Sequence, residues 1–189
     1  MTTHTDNQAV EAQIDARIDE RLAYWIEQLA RLCAQPSISA QRLGIDECAA
    51  LVATMLQEEG YAAEILPTGG SPIVYGDSGL AGQARTLLFY NHYDVQPPEP
   101  LDLWNSPPFT LTRVGDELYA RGVSDDKGQL ITRMAAAAAV RDVLGELPCR
   151  VKYFVEGEEE VGSPNIPPVS YTHLRAHETD SYLVCRLLL

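Results

Sequence analysis

The chain has 189 residues, 46% of them hydrophobic, and no apolar run long enough to span a bilayer, so it can build one domain with a real core, or a domain plus a tail. A formal net charge of −13 argues against nucleic acid and anionic membrane as partners, and is compatible with a site that gathers carboxylates around divalent cations. Four scattered cysteines (Cys33, Cys48, Cys149 and Cys185) form no C-x-x-C pair and read as reduced structural thiols. The amino terminus lacks a basic and apolar leader, and the expected location is cytoplasmic.

In chain order, Val10, Ile14, Ile18, Leu22, Trp25 or Ile26, and Leu29 recur at helical spacing and predict a long amphipathic helix ending at the latest by Pro36. A second helix follows, with Asp46 as N-cap, an apolar face of Cys48, Leu51, Val52, Met55 and Leu56, and Gly60 as its stop. Tyr61, Ala63 and Ile65 alternate as a strand does. The turn PTGGSP leads to a short apolar run at 73–75, and a second turn, DSGLAGQ, precedes the next strand. The run 86–90 in TLLFYNHYD is uninterrupted and apolar, as expected of a strand buried on both faces. A proline-rich loop comes next. Segments 109–114 and 117–120 then flank Gly115-Asp116, a hairpin signal. A small-faced third helix carries Leu130, Ile131, Met134 and an alanine run, and ends by Leu147-Pro148. The last expected strand is 150–155. Helix, helix, strands, helix, strand indicates a layered α/β domain.

Three places bring polar groups to the ends of buried elements: His92 with Asp94, Asp125 with Asp126, and Glu159 with Glu160. His92 and Asp94 are two apart on an extended chain and leave the same face, which suits a metal-binding imidazole steadied by a carboxylate. Hard oxygen ligands mixed with an imidazole fit zinc or a comparable divalent ion, and two ions as readily as one. Each place also has a plainer reading: an N-cap for Asp125 or Asp126, a solvated acidic loop for EGEEE, a hydrogen-bonded strand-end histidine for His92. DDKG lacks EF-hand spacing, and there is no Walker, dinucleotide or G-x-S-x-G pattern.

Taken together, NHYDVQP, LYARGVSDDKGQ, EGEEEVGS and the WNSPPF segment resemble the motifs of the M20 family of zinc metallopeptidases, which includes dipeptidases, carboxypeptidases and deacylases. The resemblance implies a layered α/β zinc-exopeptidase-like catalytic domain, a mixed sheet with helices on both faces, here truncated. It implies that His92 binds one zinc ion, that Asp94 orients His92, and that Asp125 bridges two ions, next to a cis peptide with Asp126. Glu160 becomes the ligand of the second ion and Glu159 the general base for hydrolysis of a dipeptide-like amide by a zinc-activated water. Co2+ or Mn2+ could replace zinc. Glu156 and Glu158 match no ligand position and are expected to be structural. The implied substrate is a small peptide or, alternatively, an N-acyl amino acid; a non-catalytic metal-binding or interaction module is the reading from another class.

The resemblance runs to about residue 168. Residues 1–168 are therefore expected to be the N-terminal part of the catalytic domain, and 169–189 an unrelated tail. The family's remaining acidic and histidine ligands, and its lid domain, through which relatives form homodimers, are not recognisable. Little or no activity is accordingly expected of this chain alone. His173 and His177, four apart with Glu178 adjacent, do not form the H-E-x-x-H zinc pattern and are read as part of the tail.

Overall fold

Helix α1 (His4–Ala34) stops short of Pro36, and α2 (Ile45–Glu58) follows it, in a computed structural model that describes residues 4–79, 85–167 and 169. The last third of α1 carries its buried side chains, Trp25, Leu29, Leu32 and Cys33. Trp25 rather than Ile26 enters the core, and Leu22 is exposed. The start of α2 differs from expectation. Gly44, at φ +69°, occupies the N-cap position, and no side chain caps the helix. A Cβ at Gly44 would lie 2.1 Å from the Pro36 carbonyl oxygen, so the close pass beside Pro36 admits only glycine. Asp46 sits two positions further on, in the first turn, where its carboxylate still meets the positive end of the helix.

The strands are β1 (Ala62–Leu66), β2 (Ile73–Asp77), β3 (Thr86–His92), the hairpin pair β4 (Thr112–Val114) and β5 (Glu117–Tyr119), and, after α3 (Lys127–Leu144), β6 (Arg150–Glu156). A mixed four-stranded sheet has the order β1-β2-β6-β3, with β3 parallel to β6 and the other pairs antiparallel. The hairpin pairs Val114 with Glu117 around Gly115-Asp116, and Gly115 takes the positive φ that this short loop requires. Helix α3 ends earlier than Leu147-Pro148, because Gly145 adopts the left-handed conformation that terminates helices. The turn DSGLAGQ lies largely outside the described residues.

Strand β6 is buried almost throughout, as a central strand should be. Strand β3 is not buried on both faces. It pairs only with β6, so it is an edge among the described residues; Leu87 and Tyr90 are each 38% exposed, and only Asn91 and His92 at its C-terminal end are buried. One face of the sheet, through Val74, Val151, Tyr153 and Val155, packs with Leu56 of α2, Leu130 and Met134 of α3, and Leu32 of α1 in a single cluster. The buried alanines of α3 let its axis approach closely. The other face carries Leu66, Ile73, Tyr75 and Phe154 with Ile166 and Val169.

Lys127 is a buried charge that the sequence pattern did not single out. Its ammonium donates to the Leu32 carbonyl at 3.0 Å and the Gln35 carbonyl at 2.7 Å, at the end of α1, where helix carbonyls run short of backbone partners; the Leu32 carbonyl also accepts the Gln35 N–H, at 3.3 Å. Burial pulls its pKa below the ordinary lysine value. The contact fixes the start of α3 to the end of α1. Lys127→Met keeps the volume but removes the buried donor from both carbonyls, leaving Leu32 its bond from the Gln35 N–H, and is expected to cost about 1–3 kcal/mol. Urea unfolding checks this; a loss below about 0.5 kcal/mol would show that the contact adds nothing.

Candidate metal centre

Parallel pairing of β3 with β6 sets His92 directly opposite Glu156, so both strands deliver their C-terminal ends to one rim. Just beyond, the Tyr93 N–H donates to the Glu156 carbonyl at 2.8 Å, and the Tyr93 hydroxyl donates to the Pro72 carbonyl at 2.7 Å. The chain after β6 passes directly over this ring. A Cβ at Gly157 would lie 2.2 Å from the Tyr93 hydroxyl oxygen, so glycine is what allows residues 158–160 to approach Asp94.

Asp94 is fully buried, and its carboxylate is used on both sides. Oδ1 accepts the Glu159 N–H at 3.2 Å, and Oδ2 accepts the Glu160 N–H at 3.1 Å. Oδ1 also lies 3.4 Å from His92 Nδ1, which has a closer partner in the Asp94 backbone carbonyl at 3.1 Å. Asp94 thus meets the imidazole through carbonyl and carboxylate together. The other ring nitrogen, Nε2, faces Asp125 Oδ1 at 2.9 Å and Glu159 Oε2 at 3.9 Å. Burial alone would lower the His92 pKa, but hydrogen bonding to Asp94 and the charges of Asp94 and Asp126 raise it to about 9.

Asp125 and Asp126 are joined by a cis peptide bond. Asp126 stands at the N-cap of α3 but makes no capping bond there. Its Oδ2 instead accepts from Asn91 Nδ2 at 2.6 Å and from the His92 N–H at 3.1 Å. The carboxylate thus ties the head of α3 to the end of β3, and leaves the Asp125 side chain, 71% exposed, free to reach His92.

One ligand atom each from His92, Asp125 and Glu160 all lie within 4.8 Å of one another. An imidazole nitrogen with two carboxylate oxygens is a donor set that suits zinc and similar divalent ions, so the residues present fit such an ion. Glu159 stands at the rim of this trio with a half-exposed carboxylate. The remaining acidic residues have other work. Buried Glu156 accepts from the hydroxyls of Tyr90 and of Ser163, and burial raises its pKa. Glu158 accepts the Ser71 N–H at 2.9 Å and Asn165 Nδ2 at 2.7 Å, fastening the loop after β6 to the PTGGSP turn. His173, His177 and Glu178 lie outside the described residues. Sequence reasoning missed Gln96, whose side-chain amide reaches Glu160, and Lys127; both look like ordinary surface residues until the fold brings distant partners to them.

The sequence profile of peptidase family M20/M25/M40 matches residues 88–185. The chain is 35% identical over 141 residues to the Beta-Ala-His dipeptidase of Homo sapiens, covering 72% of this chain and 26% of that protein. It is 30% identical over 182 residues to the Cys-Gly metallodipeptidase dug1 of Schizosaccharomyces pombe, covering 89% of this chain and 38% of that one. Among solved structures, the M20 family metallo-carboxypeptidase Sso-CP2 from Sulfolobus solfataricus superposes with a TM-score of 0.76 at 38% identity, over 82% of this chain and 36% of that chain. The chain thus spans roughly a quarter to two fifths of the length of these relatives. With a profile match over more than half its length and the same fold at the site, the chain belongs to peptidase family M20/M25/M40.

Proposed function

We propose that this chain supplies one side of the active site of a zinc-dependent hydrolase that cleaves the amide bond of a dipeptide or similarly small peptide. The observation that carries the reading is the convergence of His92, Asp125 and Glu160 at the rim, with Glu159 beside them. The relatives named as dipeptidases support the choice of substrate class. His92 and Asp125 would hold one zinc ion, and Asp125 and Glu160 a second. Bound there, the metal supplies the Lewis acidity that polarises a carbonyl and acidifies water. Glu159 takes the proton from the attacking water and gives it to the departing amine. Asp94 keeps the imidazole aimed and, through the N–H groups of Glu159 and Glu160, keeps both glutamates at the same rim. The cysteines among the described residues are free, which supports a reducing, cytoplasmic setting. No helix among the described residues is long and apolar enough to cross a membrane.

Zinc titration calorimetry separates ligands from base. His92→Ala and Glu160→Ala are each expected to weaken zinc binding at least about 10-fold, while Glu159→Gln leaves it within about 2-fold of the parent. Any zinc-dependent hydrolysis of a dipeptide panel is expected to disappear in Glu159→Gln; hydrolysis surviving in that variant would remove Glu159 from the role of base.

The metal-free protein has its own pH signature. The His92 pKa is higher folded, about 9, than its ordinary value of 6.5. A raised folded pKa means that the protonated histidine stabilises the fold fully below about pH 6.5, and that this contribution is lost as pH rises through about 9. Thermal melting in the presence of a chelator should therefore show a fall in stability across that window that is absent in His92→Gln. Identical profiles for the two proteins would contradict the ion pairing of His92.

A further inference from the structure

Gln96 follows a rigidly held position. Val95 is buried, donates its N–H to the Ser37 carbonyl at 2.8 Å, and forms a parallel bridge with Ile38. After Gln96 come Pro97, whose carbonyl accepts from Arg121 at 3.1 Å, and Pro98, whose carbonyl accepts from the Trp104 indole at 2.7 Å. The backbone on both sides is thus anchored, while the Gln96 side chain itself is exposed. Its side-chain hydrogen bonds among the described residues all go to one partner. Nε2 donates to Glu160 Oε2 at 2.8 Å and lies 3.3 Å from the Glu160 carbonyl oxygen. An exposed glutamine contributes little packing, so this bond is the main consequence of having an amide here.

We propose that Gln96 is a positioning residue for Glu160, holding one carboxylate oxygen so that the other is presented to the divalent ion that Glu160 and Asp125 would hold next to the His92 site. The inference rests on the reading of Glu160 as a ligand. The choice of an amide has a physical reason. A lysine or arginine would hold the carboxylate equally well but would set a second positive charge against the ion, whereas the amide donates without charge. Through Asp94 the Glu160 backbone is fixed, and through Gln96 its carboxylate is fixed; together they define where the ligand oxygen stands.

Cobalt is the probe, because its visible absorption reports coordination geometry as well as occupancy. Gln96→Met preserves the length and bulk of the side chain and removes only the donor. It is expected to weaken Co2+ binding about 10-fold and to change the shape of the cobalt absorption bands, with an unchanged melting temperature for the metal-free protein. Glu160→Gln serves as the control for the ligand itself and is expected to lose at least as much affinity. Parent-like affinity and spectrum in Gln96→Met, with binding weakened in Glu160→Gln, would overturn the role of Gln96 and leave the metal site standing. Parent-like binding in Glu160→Gln, or no Co2+ binding by the parent chain, would overturn the ligand reading and this inference with it.

Discussion

The carboxylate of Asp94 is the interaction on which the rim of this domain depends. A fully buried carboxylate is tolerated only when donors surround it, because an unpaired one costs several kcal/mol. Its donors come from two segments that are far apart in sequence: the imidazole of His92, and the consecutive N–H groups of Glu159 and Glu160. Hydrogen bonds to a charged acceptor are worth about 1.5–3 kcal/mol each, enough to hold the short turn after β6 against the end of β3. One buried charge therefore sets the orientation of the histidine and the location of both glutamates.

The rest of the fold makes that contact reachable. Parallel pairing of β3 and β6 brings the two segments to the same edge. Gly157 removes the side chain that would collide with Tyr93. Asp126 then attaches the head of α3 to Asn91 and His92, and Lys127, the next residue, attaches it to the end of α1. Asp125 is left between these anchors with its carboxylate toward solvent and His92. Along the motif Asp125-Asp126-Lys127, one residue faces the site and the next two hold it in place. The acidic run after β6 divides in the same way, with Glu156 and Glu158 fastening the loop that presents Glu159 and Glu160.

Elements whose cause is local were legible in the sequence. The alanine-rich face of α3, the Gly115-Asp116 hairpin and the apolar run of β6 each follow from side-chain size, backbone freedom or strand propensity within a few residues. The exposure of β3 was not, since an apolar run reads the same in a central strand and in one paired on a single side. Gly44 in place of Asp46 at the start of α2 reflects a close pass by Pro36 that helix-start rules do not contain. At the site, the identities of His92, Asp125 and Glu160 came from ordered motifs that resemble a family, and the structure brings their ligand atoms together. What the motifs lacked was the partner of each: the N–H groups on Asp94, the amide on Glu160 and the carbonyls on Lys127 all lie more than sixty residues away.

The central claim is that one divalent-metal centre joins the end of β3, the head of α3 and the turn after β6. Anomalous diffraction at the zinc absorption edge, from crystals of the zinc-loaded chain, tests it most directly. The account predicts anomalous density about 2.0–2.2 Å from His92 Nε2 and a carboxylate oxygen of Asp125, and a second peak at the same distance from carboxylate oxygens of Asp125 and Glu160. Zinc bound elsewhere, with His92 Nε2 still on Asp125 and Glu160 turned away, would contradict it.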